Sequence, residues 1–235
     1  MAINPAMQQE LSKIGCEKCD GFGNIVTPEG VRPCECKIRA ITAAHLSSAS
    51  IPPMFIMKNF ESFKPNTPRR TRNLKMSREF INNYIPGNRG LMFMGTCGTG
   101  KTHLAVSLLR ELIQKGYSGL FYNVITLLDD LRATYAFDNT ATQWPILDKV
   151  YGIDILVLDD LGAEKTSGWV NDRLYAIINH RYERKKTTLV TTNRDIPELR
   201  EQIGERIYSR LEEMCERILF EGEDYRIQMM SSGKR

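Results

Sequence analysis

Residues 95–102 read GTCGTGKT and match the phosphate-binding pattern G-x-x-x-x-G-K-[ST] at every fixed position. The octet ties the chain to one local architecture: a strand, a tight loop and a helix in that order. Gly95, Gly98 and Gly100 allow backbone conformations that a side chain forbids. The backbone N–H groups of Thr96, Cys97, Thr99 and their neighbours can then wrap a triphosphate. Lys101 is placed to reach the β- and γ-phosphates, the Thr102 hydroxyl to hold Mg²⁺, and His103 opens the helix behind them. That helix points its positive end at the phosphates. The alternative is a glycine-rich turn with an incidental lysine. The flanks argue against it: GLMFM (90–94) is a buried-strand run, and HLAVSLLRELIQ (103–114) has the apolar spacing of an amphipathic helix.

The chain's 235 residues accommodate one sizeable domain and a small appendage. Hydrophobic content of 42% and charged content of 26% are those of an ordinary soluble globular protein. No apolar run approaches membrane-spanning length. The segment MAINPAMQQELSKIG has no signal-like apolar core, so a cytoplasmic location away from any membrane is expected. A net charge of +4 permits contact with nucleic acid without arguing for it.

Residues 1–15 read as a short helix or a tail, 37–50 as a helix, and the proline-bearing 51–68 as an extended linker. Residues 69–85 form a basic helix with Leu74, Met76, Phe80, Ile81 and Tyr84 on its apolar side. Beyond residue 90 strands and helices alternate. Further strands are expected at 119–124, 154–160 and 187–193, with short ones at 217–221 and 225–230. Helices are expected at 125–136, 168–183 and 203–215. Such alternation implies an α/β fold, a parallel sheet between helical layers. Ligands of such sheets bind beyond the carboxyl ends of the strands, which is where Asp159 and Asn193 fall.

ILVLDD (155–160) supplies an apolar strand ending in two acids. Asp159 suits Mg²⁺ opposite Thr102, and Asp160 suits the attacking water. Asn193 either touches the γ-phosphate or simply turns the chain. Arg206 and Arg210, four apart, share one helix face. They either reach a neighbouring subunit's phosphate or make surface ion pairs with Glu205, Glu213 or Glu216.

Four of the six cysteines cluster as CEKCDGFGNIVTPEGVRPCEC: Cys16 and Cys19, then Cys34 and Cys36. Four thiolates from two short turns suit tetrahedral Zn²⁺, with a hairpin around NIVT bringing the pairs together. A redox pair and an iron–sulfur site are the alternatives. Cys97 reads as a filler in the loop and Cys215 as a residue packed on the sheet. Two basic clusters stand out: Arg69, Arg70, Arg72, Lys75 and Arg78, and Arg181, Arg184, Lys185 and Lys186. They are solvated faces or DNA contacts. Tyr122, Arg132, Tyr135 and Phe137 either line a single-strand groove or pack in the core.

Taken in order, GTCGTGKT, ILVLDDLG, TTN and GERIYSRL resemble the AAA+ ATPases. More narrowly they are similar to the DnaC/DnaI family of replicative-helicase loaders, relatives of the IstB transposition ATPases. IPPMF…NFESF and the late DYR share that resemblance, which covers about residues 50–230. It implies a P-loop AAA+ five-stranded parallel sheet with a reduced lid over 69–235. A zinc-binding module over 1–50 and the linker at 51–68 would precede it. It implies ATP, Mg²⁺ and Zn²⁺ as ligands. A DnaB-type helicase, single-stranded DNA and further copies meeting at the ATP site are the implied partners. Asn193 becomes the γ-phosphate sensor, Arg210 the trans-acting arginine and Arg226 the second sensor. Many AAA+ enzymes carry Glu where this chain has Asp160, so slow hydrolysis is expected. An IstB-like transposition helper and a nucleotide-gated adaptor with little turnover are the competing functions.

Overall fold

The computed structural model describes residues 16–28, 30–135, 144–225 and 227. An antiparallel hairpin comes first, β1 (Asn24–Thr27) against β2 (Gly30–Pro33). Helix α1 (Glu35–Ser48) follows, then a 3₁₀ turn at Pro53–Phe55 and helix α2 (Pro68–Asn82). Thr67 caps α2 by accepting the Arg70 N–H, and Pro68 occupies the first helical turn. The alternating part comprises β3 (Gly90–Gly95), α3 (Lys101–Gln114), β4 (Gly119–Asn123), α4 (Val124–Tyr135), α5 (Trp144–Gly152), β5 (Ile155–Asp159), α6 (Gly168–Glu183) and β6 (Thr187–Thr192). It closes with α7 (Ile196–Ile203), α8 (Glu205–Met214) and β7 (Cys215–Phe220).

Strands β3 to β7 form one five-stranded sheet in the order β4-β5-β6-β3-β7, every pair parallel. Successive side chains of a strand point to opposite faces, so a sheet buried on both sides needs continuous apolar runs. Met92, Met94, Leu156, Leu158 and Val190 pack with α4 to α8 on one face. Leu91, Phe93, Ile155, Val157 and Leu189 pack with α3 on the other. Each such side chain contributes roughly 1.5–3 kcal/mol on burial.

The second face also takes up Phe60, Phe63 and Ala49. The 51–68 segment is therefore strapped onto the sheet's helical layer, with Phe60 and Phe63 as its anchors. The Phe121 N–H of β4 donates to the Ala49 carbonyl at 2.8 Å, tying the end of α1 to the sheet edge.

Several sequence expectations need correction. The helix expected at 203–215 is α8, which starts at Glu205 just after Gly204, whose φ of +81° favours glycine and separates it from α7; helix α7 itself was not anticipated. Asp195 and Glu198 form a capping box that starts α7, a signal present in the sequence. Cys215 begins β7 instead of ending a helix. Of the strand expected at 225–230, Tyr225 and Ile227 take helical backbone; the others, Arg226 among them, lie outside the described residues, as do residues 1–15 and Phe137. Helix α5 was not anticipated.

Neither basic cluster is a continuous charged face. Arg69, Lys75 and Arg78 pair with Glu221, Glu79 and Glu61, and Arg70 is buried with Tyr225 beneath its guanidinium. Tyr122 packs against the core. Arg181 is fully buried and is a structural tie. It donates to Thr188 Oγ1 and to the carbonyls of Val150, Ile153, Asp154 and Thr187, between 2.6 and 3.2 Å. The tie joins α5, the start of β5 and β6. Arg181→Met keeps the bulk but orphans those carbonyls. A loss of about 3–5 kcal/mol is expected in urea unfolding, with the nucleotide-site residues left in place.

Candidate nucleotide site and cysteine centre

Loops following β3, β5 and β6 meet at one end of the sheet because the strands are parallel and in close register. Gly100, at φ +102°, turns the chain from the loop into α3. A Cβ there would come within 2.7 Å of the Phe63 ring, so glycine is needed for both conformation and space. Lys101 is buried and donates to the Gly95 and Thr96 carbonyls, each at 2.7 Å. It bridges back across the loop from its far end. Thr99 Oγ1 donates to the Thr96 carbonyl at 2.8 Å and tightens the same curve. Cys97 is exposed.

His103 is held by the strap. Its Nε2 lies 2.8 Å from the Asn59 carbonyl and 3.1 Å from Ser62 Oγ, with the Phe63 ring edge-on to it. Burial pushes its pKa down, which favours the neutral ring. The strap is thereby fastened to the first turn of the phosphate-loop helix.

Asp159 ends β5 beside this loop and is buried. Thr191 Oγ1 donates to Asp159 Oδ1 at 2.7 Å, and the Thr102 hydroxyl also bonds that carboxylate. Burial pushes the Asp159 pKa up to about 6; the Thr191 hydrogen bond pulls against that, and the Asp160 charge adds to it. A buried carboxylate facing a hydroxyl is a pair of oxygen donors that suits a divalent cation. Thr102 and Asp159 would hold Mg²⁺ here.

Asp160 takes left-handed backbone at φ +57°, a conformation that costs energy for a residue with a side chain. Its N–H donates to Thr191 Oγ1 at 2.9 Å, and its Oδ1 accepts from Asn193 Nδ2 at 3.1 Å. Asn193 thus orients the second acid. Thr191 was missed by sequence reading. A hydroxyl in a fully buried strand end must find polar partners, and that requirement was the available signal.

The segment after β7 lies along the phosphate loop. The Tyr225 N–H donates to the Gly98 carbonyl at 3.0 Å, and Thr96 Oγ1 donates to the Gly222 carbonyl at 3.1 Å. A Cβ on Gly98 would meet the Asp224 carboxylate at 1.8 Å. An acid therefore lies against the loop that would take a polyanion.

Arg206 and Arg210 lie on α8, away from this cluster in the chain's own fold. Their partners are Tyr175 and Asn179 of α6; none of the glutamates Glu205, Glu213 and Glu216 pairs with them.

At the other end, all four clustered cysteines converge. Their sulfurs lie within 4.8 Å of one another, with Cys16–Cys34 at 3.8 Å and Cys19–Cys36 at 3.4 Å. No disulfide joins them. A tetrahedron with Zn–S bonds of about 2.3 Å has edges of about 3.8 Å, so the set fits Zn²⁺. The Gly23 N–H donates to Cys19 Sγ at 3.3 Å, a bond that favours a thiolate. The hairpin expected around NIVT does bring the pairs together.

A parallel sheet in this strand order, with a phosphate loop after β3 and paired acids after β5, defines an AAA+ P-loop nucleotide-binding protein. Residues 37–233 match the family described as IstB-like ATP binding protein. The chain belongs to that ATP-binding family, and within it is similar to the DnaC type. The crystal structure of the DnaC helicase loader superposes with a TM-score of 0.67 at 31% identity, covering 72% of this chain and 100% of that one. The replicative helicase loader DnaC of Escherichia coli K12 is 25% identical over 163 residues, 69% of this chain. The match spans 66% of that relative's own length, just under two thirds. The crystal structure of DnaI, at 24% identity and a TM-score of 0.64, covers 77% of this chain and 98% of that one and shares the fold.

Two outcomes are expected from this geometry. Asp224→Asn removes a charge opposed to triphosphate, so ATP affinity measured by calorimetry should rise about two- to fivefold. Metal analysis of the purified protein should give about one zinc per chain, and Cys34→Ser should lose it together with the hairpin's ordered amide signals.

Proposed function

We propose that the chain is an ATP-hydrolysing loader that binds a DnaB-type replicative helicase and places it on single-stranded DNA. The observation that carries this reading is the similarity to the DnaC helicase loader along that whole chain, at 31% identity. The site supplies the matching chemistry. Loop N–H groups of residues 95–102 and the Lys101 ammonium cradle the phosphates. Thr102 and Asp159 would hold Mg²⁺, which would offset the phosphates' charge. Asp160 accepts a hydrogen bond from the attacking water and aims its oxygen at the γ-phosphorus. The water oxygen bonds to that phosphorus as the bond to the bridging oxygen breaks, and the water's proton passes by way of Asp160 to the released phosphate, giving ADP and phosphate. Asn193 fixes the Asp160 carboxylate and senses the γ-phosphate. Arg226 is the second sensor.

Arg210 completes the site from a neighbouring copy. ATP then favours side-by-side assembly on DNA, and hydrolysis permits release. Asp160 has a shorter arm than the glutamate common at this place, which supports slow, partner-stimulated turnover. The zinc module grips the helicase; its surroundings mix acids and bases, a balance suited to protein more than DNA. Among the described residues no helix is long and apolar enough to cross a membrane, which agrees with action in the cytoplasm.

The test is capture of purified DnaB-type helicase and, separately, of a transposase, with ATPase measured with and without single-stranded DNA. Helicase capture and DNA-stimulated turnover are expected, and Lys101→Ala should abolish ATP binding. Capture of the transposase alone would replace this reading with the IstB-like transposition helper. Helicase capture without turnover would leave a nucleotide-gated adaptor.

A further inference from the structure

Helix α8 brings Arg206 and Arg210 together over the Tyr175 ring, with Tyr182 a second ring beneath Arg210 at 5.6 Å. Their guanidinium carbons lie 4.4 and 4.8 Å from the Tyr175 ring centroid. Each donates to the Tyr175 hydroxyl oxygen, at 3.1 and 3.0 Å. Arg210 Nε also donates to Asn179 Oδ1 at 2.8 Å, and its Nη1 to the Arg206 carbonyl at 2.9 Å. Tyr175 and Asn179 stand four apart on α6, matching the spacing of the two arginines on α8.

Every one of these partners is neutral. Among the described residues no carboxylate lies within ion-pair distance of either guanidinium. The nearby acids on α8 are engaged elsewhere. Glu205 takes Arg200 at 2.9 and 2.6 Å, and Glu213 takes the Tyr182 hydroxyl at 2.8 Å. Two like charges held side by side repel each other. A phenol, an amide and a backbone carbonyl fix their geometry without cancelling their charge. A carboxylate in the same place would fix it and cancel it. Each guanidinium has five N–H donors. Arg210 commits three of them to these acceptors and Arg206 one, which leaves donors for an outside anion.

We infer that Tyr175 and Asn179 are positioning residues that present Arg206 and Arg210 together as an anion clamp for the terminal phosphate of ATP bound to a second copy of this chain. The inference rests on the trans-acting role proposed for Arg210. The clamp orders two flexible side chains before the copies meet, so less freedom is lost when the phosphate arrives. It also makes Arg206 a full partner of Arg210 in the same anion site.

The test uses the full chain in four single variants and one double variant. Tyr175→Phe and Asn179→Asp are near-isosteric and keep the packing of α6 against α8. The first loses the shared acceptor, and the second sets a carboxylate against Arg210. Both are expected to lower kcat by on the order of tenfold while ATP affinity stays at its wild-type value. Mixing supplies the second readout. Lys101→Ala subunits cannot bind nucleotide but can donate arginines; Arg210→Ala subunits bind nucleotide but cannot donate. The mixture should recover turnover, and should fail to recover it when the Lys101→Ala subunit also carries Asn179→Asp. If Arg210→Ala is inactive while Tyr175→Phe and Asn179→Asp stay within twofold of wild type, the clamp is overturned and the trans arginine stands. Full turnover by Arg210→Ala itself would overturn the trans arginine and the clamp with it.

Discussion

The Thr191 hydroxyl holds the candidate nucleotide site of this protein together. It donates to the Asp159 carboxylate and accepts the Asp160 N–H, and so spans the gap where β5 and β6 run out. Parallel pairing sets the two strands at the same level, and the hydroxyl fixes what emerges from them. Together with the Leu161 N–H bond to the Thr191 carbonyl, it keeps Asp160 in a backbone conformation that its side chain disfavours. Asp159 would lose one of the bonds that offset its burial. Asn193, next but one along β6, completes the arrangement by holding the Asp160 side chain. The magnesium and water positions of the proposed mechanism are therefore consequences of strand register first and of the acids second.

Much of this was legible in the sequence, and for physical reasons. Buried parallel strands need unbroken apolar runs, so GLMFM and ILVLDD announced themselves with their ends nearly correct. The glycines and lysine of the loop can hardly be arranged in any other way. The cysteine pairs named both a tetrahedral ligand set and the hairpin needed to close it. What escaped were contacts that join residues distant in the chain. Thr191 looks like one more β-former in TTLVTTN until Asp159 lies beside it. Arg181 sits among Arg184, Lys185 and Lys186 and shares their charge. Only the packing of α5 shows that it faces inward to a set of carbonyls. Helix α7 went unread although Asp195 and Glu198 carry its capping-box signal.

The arginines of α8 show the same limit more sharply. The sequence offered glutamates at helical spacing as their partners, and helix-surface rules favour such pairs. Tertiary packing instead gave them a tyrosine and an asparagine from α6, and gave Glu205 and Glu213 other partners. Pairing by sequence spacing assumes that a helix is an isolated cylinder. Here the neighbouring helix decides.

One hydrogen bond ties the end of α1 to the edge strand of the sheet. The Phe121 N–H meets the Ala49 carbonyl just beyond α1, and Ala49 packs in the same layer as α3. Helix α1 begins at the cysteine centre and runs for 14 residues, about 21 Å at 1.5 Å per residue. It is thus a stiff arm with a metal-shaped grip at one end and the sheet edge at the other. The layer it presses on is the helix whose first residue is Lys101. The cysteine hairpin is thereby joined, through a single helix, to the layer that carries the phosphate loop.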